Sequence, residues 1–432
     1  MTFRPLVPAM RNLFFSVANA VPRGALARSA VSVFLWNLAR LGTQFMWIIL
    51  MTRTLGADAY GTFSGVSSLA LAMSGLVGIG LGLRMYQDVA CAPEMLGLRW
   101  NQAWQALQWS SLFFAAVFFG MSLAGFAGIS PWLIVSVAIS ELVFTPMVSH
   151  IAFAYAGCGM MGRAAAAPVM ISCGRVVAIT VFALSSQPDV TIYGLLHTGC
   201  SGGAVILAWH ACRRRLLPHS DQPCPVTKED LRTGLAFSSI WASGLALGSL
   251  DKAAALRFGG GGVAGLYTAA YRFVSIAAQP VEALVMAAMP RLFRAGSGQE
   301  AHPSLISILA CAIACYGSIA MFAVWFAAPL LPKLLGESFS AAIVPLKILA
   351  WYVPFYGLRS LAGHILLGYG YKRRRFACEI TAVVVNFVLI AILVPAHGAT
   401  GAAVSLIASE AILLVLSWLG VAWHFLVSGK NE

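Results

Sequence analysis

The chain alternates long apolar runs with short polar breaks. Twelve runs, near residues 30–52, 62–83, 103–127, 132–154, 167–186, 190–211, 234–256, 264–289, 304–330, 341–369, 376–394 and 400–427, have the length of a bilayer crossing. About 20 residues suffice for one helical span. In hydrocarbon every backbone N–H and C=O must be satisfied within the protein, so an open strand cannot cross. The sequence lacks the ten-residue alternation of a membrane barrel. The pattern predicts an all-α polytopic membrane protein with twelve transmembrane helices.

The polar breaks are unequal in charge. With the N-terminus placed in the cytoplasm, the tails and loops on that side hold 19 Lys and Arg, including Arg84, Arg99, Arg213–Arg215 and Lys372–Arg375. The opposite side holds four, Arg53, Lys252, Arg257 and Lys333. Positive residues stay inside, so both termini are expected to be cytoplasmic. The longest polar stretch contains Pro218, Pro223 and Pro225 and reads as a linker. The organisation expected is a cytoplasmic segment 1–28, a six-helix bundle 29–212, a cytoplasmic linker 213–232 and a second six-helix bundle 233–428. Arg4, Arg11, Arg23 and Arg28 around the apolar stretch Leu13–Val21 suggest an amphipathic lead-in on the membrane surface. Ala18-Asn19-Ala20 keeps a cleaved signal peptide open as the other reading.

The two halves repeat. At an offset of 204, Arg53-x-x-Gly56-x-x-x-x-Gly61-x-Phe63 matches Arg257-x-x-Gly260-x-x-x-x-Gly265-x-Tyr267. At an offset of 211, Gly157-x-Gly159-x-x-x-Arg163 matches Gly368-x-Gly370-x-x-x-Arg374. Six spans per half give both copies one orientation. They are expected to be parallel repeats about an axis normal to the membrane, around a central cavity.

Composition narrows the class. Hydrophobic residues make up 59% and charged residues 10%, with a mean hydropathy of +0.82. Soluble proteins carry about a quarter charged residues. A soluble enzyme, a disordered chain and a single-anchor protein are excluded. The net charge of +13 is accounted for by topology, so no nucleic-acid partner is expected. Nine cysteines include no Cys-x-x-Cys, and His210, Cys212, His219 and Cys224 fit no familiar zinc spacing. Gly157-Cys158-Gly159-Met160-Met161-Gly162 fits a dinucleotide fingerprint literally but follows no strand. No cofactor or metal is expected.

Five cations fall inside the apolar runs: Arg40, Arg175, Arg272, Lys347 and Arg359. Each costs about 2.5–3.5 kcal/mol near a helix centre on insertion scales, so each needs water, a partner or a nearby span end. In the first span Asn37, Arg40, Thr43, Gln44 and Trp47 share one face. In the eighth, Thr268, Arg272, Ser275, Gln279 and Glu282 follow spacings of 4, 3, 4 and 3. Such stripes line a lumen or form an interhelical seam. Glu141, Asp251, Glu282 and Glu410 are candidates for coupling to H+ or Na+, with fixed counter-ions for arginine as the other reading.

These residues also carry a family likeness. Leu250-Asp251-Lys252, Gly265-Leu266-Tyr267-Thr268-Ala269-Ala270-Tyr271-Arg272 and Met289-Pro290-Arg291-Leu292 resemble the seventh and eighth spans of bacterial polysaccharide flippases. Those are the O-antigen and exopolysaccharide transporters of the Wzx type, within the multidrug/oligosaccharidyl-lipid/polysaccharide exporter superfamily. Arg53–Gly61, Leu335–Phe339, Gly398–Ala403 and Ser409-Glu410 extend the likeness over most of residues 30–425. The resemblance implies an undecaprenyl-diphosphate-linked oligosaccharide flipped by alternating access across the bacterial inner membrane. Its partners would be membrane lipid, a polysaccharide polymerase and a chain-length regulator. It also implies a cationic cavity, for which Arg40 and Arg272, with Arg359 assisting, would attract the diphosphate. Trp47 and Tyr271, beside Gln44, Thr268 and Gln279, would meet the sugars. A multidrug or cation exporter of the same superfamily is the rival, and it would want a carboxylate-dominated cavity. A membrane glycosyl transferase or polymerase would want a large catalytic external loop. Lipid II flippases of the superfamily usually have fourteen spans.

Overall fold

The computed structural model describes residues 25–185, 189–216, 225–296 and 303–428. The expected lead-in before residue 25, and His219 and Cys224 of the linker, lie outside the described residues. Every described element is helical.

Among the described residues, nine stretches are long and apolar enough to cross a membrane when two bent pairs count as one span each. Three of the nine fold back on themselves, which makes twelve helices. The turns are at Gly56, Gly260 and Gly398, all with positive φ, a region that glycine alone enters freely. Side chains on either side of each turn prove the reversal. The Trp47 and Phe63 rings are 6.5 Å apart, although 16 residues of straight helix would separate them by about 24 Å. The Tyr267 hydroxyl likewise donates to Asp251, and Asn386 donates to the Ser409 hydroxyl at 3.0 Å.

In chain order the helices are α1 (25–55), α2 (57–91), α3 (Leu96–Gly125), α4 (Pro131–Gly157), α5 (Met161–Ala183), α6 (Val190–Leu216), α7 (228–259), α8 (261–296), α9 (Pro303–Ala327), α10 (343–368), α11 (372–397) and α12 (399–428). Helix α7 is broken at Gly248-Ser249, and α10 bends by 43° between Leu349 and Tyr352. The end bearing the α6–α7 connection is called the linker side below, and the opposite end the far side.

The repeat is visible in the backbone. Gly56 has φ 73° and ψ −177°, and Gly260 has φ 77° and ψ −179°. The second pair ends α4 and α10 with the same cap. Met160 N–H bonds the Tyr155 carbonyl at 2.8 Å and Gly159 N–H the Ala156 carbonyl at 3.0 Å. Tyr371 bonds Leu366 at 2.8 Å and Gly370 bonds Leu367 at 3.1 Å. This is the Schellman arrangement, which needs a left-handed residue where Gly159 and Gly370 stand.

The lobes α1–α6 and α7–α12 meet where α2 crosses α8. Gly61 lies against the Gly261 carbonyl and the Gly265 backbone, and Gly265 lies against the Ala57 carbonyl. These reciprocal contacts, 204 residues apart in each direction, define a local two-fold. Only hydrogen side chains allow backbones this close. Further ties close the far side. Arg53 donates to the Lys333 carbonyl at 2.7 Å and the Leu334 carbonyl at 2.9 Å, and the Tyr60 and Phe339 rings sit 6.1 Å apart.

On the linker side the symmetry fails. Along α2 and α7, Gly75 packs on Ala242 and Gly80 on Gly234, and the Ser238 hydroxyl donates to the Gly75 carbonyl at 2.9 Å. Here α2 is interrupted at Gly78–Gly80, with Ile79 in the left-handed region at φ 49°, a conformation that costs about 1–2 kcal/mol. Asp230 of α7 latches this seam, 2.7 Å from Arg84 and 2.9 Å from Arg99. Burial raises the Asp230 carboxyl, but hydrogen bonds from Thr227 and the charges of Arg99 and Arg84 more than offset this and hold it at about 2. The latch is therefore fully charged above the ordinary carboxylate range and is lost only as pH falls through about 2. The equivalent seam between α1 and α8 is open. Leu38 and Leu284, the counterparts of Ala242 and Gly80, are 56% and 38% exposed, and Gln279, the counterpart of Gly75, is exposed.

Replacing Gly61 by valine puts a Cβ into the Gly261 carbonyl, which cannot yield without separating the lobes. The expected result is a loss of about 3 kcal/mol of stability, read as a lower thermal midpoint of detergent-solubilised protein. Gly120→Val, where a Cβ meets nothing, is the control and should melt as wild type.

Candidate functional site

Between the lobes lies a cavity of about 220 Å³. Helix α1 contributes Thr43, Gln44 and Trp47, α4 contributes Glu141 and Thr145, and Arg175, His197 and Arg272 come from α5, α6 and α8. All are first-lobe residues except Arg272, which reaches in across the interface.

The first-lobe wall is a connected polar network. Arg175 donates to Glu141 at 2.7 Å and to the Thr145 hydroxyl at 3.2 Å. Glu141 sits in a single turn of π-helix, Ser140–Phe144, just before Pro146. Such a turn shifts the helical register by one residue and is common at functional sites. The Trp47 indole N–H donates to the Tyr193 hydroxyl at 2.7 Å, and that hydroxyl pairs with His197 at 3.1 Å. Trp47 is thus fixed in orientation while its side chain lines the cavity.

The stripe on α8 does not form one surface. Thr268 is buried, Arg272 enters the cavity, Gln279 is exposed, and Glu282 turns to α10. Tyr271 faces the second lobe, where its hydroxyl lies 3.4 Å from that of Tyr352. Glu282 accepts from Tyr356 at 2.7 Å, with Ser360 at 3.5 Å. Arg359 is buried in the second lobe, 2.7 Å from Glu410 and over the Tyr356 ring. It does not line the Arg272 cavity. Arg40 stands one turn linkerward of Thr43 and Gln44, outside the cavity lining, with its Nε buried and unbonded among the described residues.

The charge pattern places Lys252 among the four far-side loop cations, but α7 continues to residue 259, and Lys252 is only 4% exposed, two turns inside it. Its ammonium lies 2.9 Å from Asp251. The adjacency of opposite charges in an apolar run was the available signal. No sequence pattern singles out His197 and Tyr193. Only their buried contacts reveal them.

The charges now sort by partner. Glu141 is paired with Arg175, Asp251 with Lys252, and Glu410 with Arg359. Lys347 lies over the Trp325 ring at 5.5 Å. Arg40 and Arg272 have no carboxylate within 4.0 Å among the described residues.

The fold defined by these two lobes is that of the MOP-superfamily transporters. An inward-facing multidrug resistance MATE family transporter of that superfamily superposes with a TM-score of 0.68 at 16% identity, covering 93% of this chain and 96% of its own. The lipid II flippase MurJ, in an inward closed conformation, gives 0.68 at 11% identity, covering 90% and 87%. An outward-facing MATE family transporter gives 0.56 at 15% identity, covering 95% and 98%. No curated protein matches the chain. The chain belongs to the polysaccharide biosynthesis protein family, whose sequence model matches residues 26–295.

Arg359→Ala leaves Glu410 buried and unpaired, and the expected cost is about 3–5 kcal/mol. Arg359→Met with Glu410→Met removes both charges and should melt close to wild type. Arg272→Ala, with no ion pair to break, should also melt close to wild type. Thermal unfolding in detergent separates the three.

Proposed function

We propose that the protein is a flippase. It turns an undecaprenyl-diphosphate-linked oligosaccharide from the cytoplasmic to the periplasmic leaflet of a bacterial inner membrane, for O-antigen or exopolysaccharide synthesis. The observation that carries this reading is Arg272, an arginine without a carboxylate partner reaching into the cavity between two lobes. A fixed cation in a low-dielectric cavity is stable only when an anion or water meets it. A diphosphate supplies such an anion, and guanidinium binds it with parallel hydrogen bonds. Arg40 sits nearer the open seam on the same face of α1 and would meet the diphosphate first. Gln44 and the fixed Trp47 are placed for sugar, which stacks on aromatic faces.

The open α1–α8 seam supports a path for the hydrocarbon tail. Phe34, Leu35 and Leu38 of α1 are 66%, 57% and 56% exposed, so a prenyl chain can stay in lipid while its head enters the cavity. The surplus of Lys and Arg on the linker side supports a cytoplasmic placement of that side. The family description supports the polysaccharide assignment over drug export. A cation exporter needs an uncompensated carboxylate in its cavity, and Glu141 is already neutralised by Arg175. A polymerase and a chain-length regulator would act on the flipped product.

For coupling, H+ is the better candidate ion, and Glu282 is the best placed of the four carboxylates. It is held by the Tyr356 and Ser360 hydroxyls, so protonating it strands no cation. His364, which bonds the Ser360 carbonyl, and Arg359 on the Tyr356 ring are the nearby charged or titratable groups of α10. Tyr316 of α9 donates instead to the Ala277 carbonyl.

Arg272→Glu should abolish polymer output and cause the lipid-linked glycan to accumulate in the inner leaflet, at unchanged protein level in the membrane. Normal polymer output would overturn the assignment. Glu282→Gln should retain binding of the lipid-linked glycan while slowing flipping at least tenfold. A wild-type rate would remove Glu282 from the coupling step.

A further inference from the structure

The second lobe holds a separate cavity of about 300 Å³ beside Asp251, Asn386, Ser409 and Glu410. Its polar wall is a set of oxygen donors, two carboxylates with a side-chain amide and a hydroxyl. Hard monovalent and divalent cations take oxygen ligands of this kind. Yet both carboxylates already have a cation of the chain upon them. Arg359 holds Glu410, and Lys252 holds Asp251.

The Lys252 ammonium is seated as a bound cation would be. Its nitrogen is 2.9 Å and 3.0 Å from the two Asp251 oxygens and 2.7 Å from the Gly248 carbonyl. It also lies 3.4 Å from the centre of the Tyr271 ring, a cation–π distance. Tyr267 completes the set by donating to Asp251. Neighbours on a helix do not normally face each other. Here the bend in α7 at Gly248-Ser249 puts Asp251 and Lys252 in the first turn of a new helical segment, and Lys252 folds back to the carbonyl freed there. Both residues are 4% exposed, so the ammonium is not borrowed from solvent.

We infer that Lys252 is a tethered cation occupying the place of a free monovalent metal ion against Asp251, so that this carboxylate is charge-balanced without sodium. Shortening Lys252 should then leave a place against Asp251, the Gly248 carbonyl and the Tyr271 ring that a free monovalent cation can take. The resting charge balance at Asp251 is independent of the transported substrate.

The test is thermal unfolding of purified protein in choline, sodium, potassium and lithium chloride at one ionic strength. Wild type should melt at the same temperature in all four. Lys252→Ala should melt lower in choline and gain about 5 °C in sodium or lithium. Asp251→Asn with Lys252→Ala should be indifferent to the cation again. A sodium-dependent rise in wild type would overturn the inference. A Lys252→Ala protein indifferent to all four salts would do the same. Should Lys252→Ala be recovered only when purified in sodium, the inference stands. Should it be lost in every salt while the double variant is recovered, Lys252 is only a counter-ion and the inference fails.

Discussion

The crossing of α2 and α8 at Gly61 and Gly265 is the contact on which the rest of the arrangement depends. Two helices touching through bare backbone have one register, because any shift brings a side chain into the contact. That register places Arg53 over the Lys333 and Leu334 carbonyls and Tyr60 against Phe339, which closes the far side. It also lays α2 along α7. A strict two-fold would lay α8 along α1 in the same way. The lobes instead pivot about the glycine crossing, so one linker-side seam is zipped by small residues and the Asp230 latch while the other stands open. A lateral opening follows from a local symmetry that holds at one end of the molecule and is broken at the other.

Within each lobe the buried charges cancel. Glu141 with Arg175, Asp251 with Lys252 and Glu410 with Arg359 each tie two positions through strong, charge-assisted contacts. Such pairs add little net stability compared with apolar packing, but removing one partner is expensive. Their effect is to neutralise Glu141, Asp251 and Glu410 within their own lobes. Glu282 keeps hydroxyl partners and Lys347 an aromatic ring, which leaves Arg272 in the cavity and Arg40 one turn away as the arginines without a carboxylate. On the proposed reading, such unbalanced cations are what a carrier of an anionic headgroup requires.

The sequence carried the backbone features well because they have few chemical solutions. A reversal at positive φ calls for glycine, so Gly56 and Gly260 were readable as equivalent turns, and Gly159 and Gly370 as equivalent helix ends. The all-α class followed from apolar run length alone. The destinations of the side chains were less legible. Spacings of 4, 3, 4 and 3 on α8 place residues on one face, but what packs there changes along the helix: the cavity at Arg272, open surface at Gln279, and α10 at Glu282. Arg359 read as a cavity cation because its counter-ion lies 51 residues away on another helix. Lys252 departs from the place its charge pattern suggests for a local reason, a bend that lets adjacent residues pair. His197 and Tyr193 gave no pattern, since a buried triad with Trp47 exists only once α1 and α6 are packed.

On the proposed reading, the unpaired cations also bear on when the open seam closes. Arg272 reaches into the cavity from α8 and Arg40 stands on α1 one turn linkerward of Thr43 and Gln44, both without a carboxylate, and bringing α1 onto α8 would draw like charges together in low dielectric. Closure of the empty protein is opposed by that repulsion. A diphosphate removes it and adds hydrogen bonds that reach both lobes, so it binds the closed form better than the open one. A ligand shifts a conformational equilibrium only by such a difference in affinity. Apolar exposure along α1 adds a second condition, since the tail must remain outside while the head is enclosed. The same two arginines would then select the headgroup and permit the lobes to move, which links recognition to translocation without a separate gate.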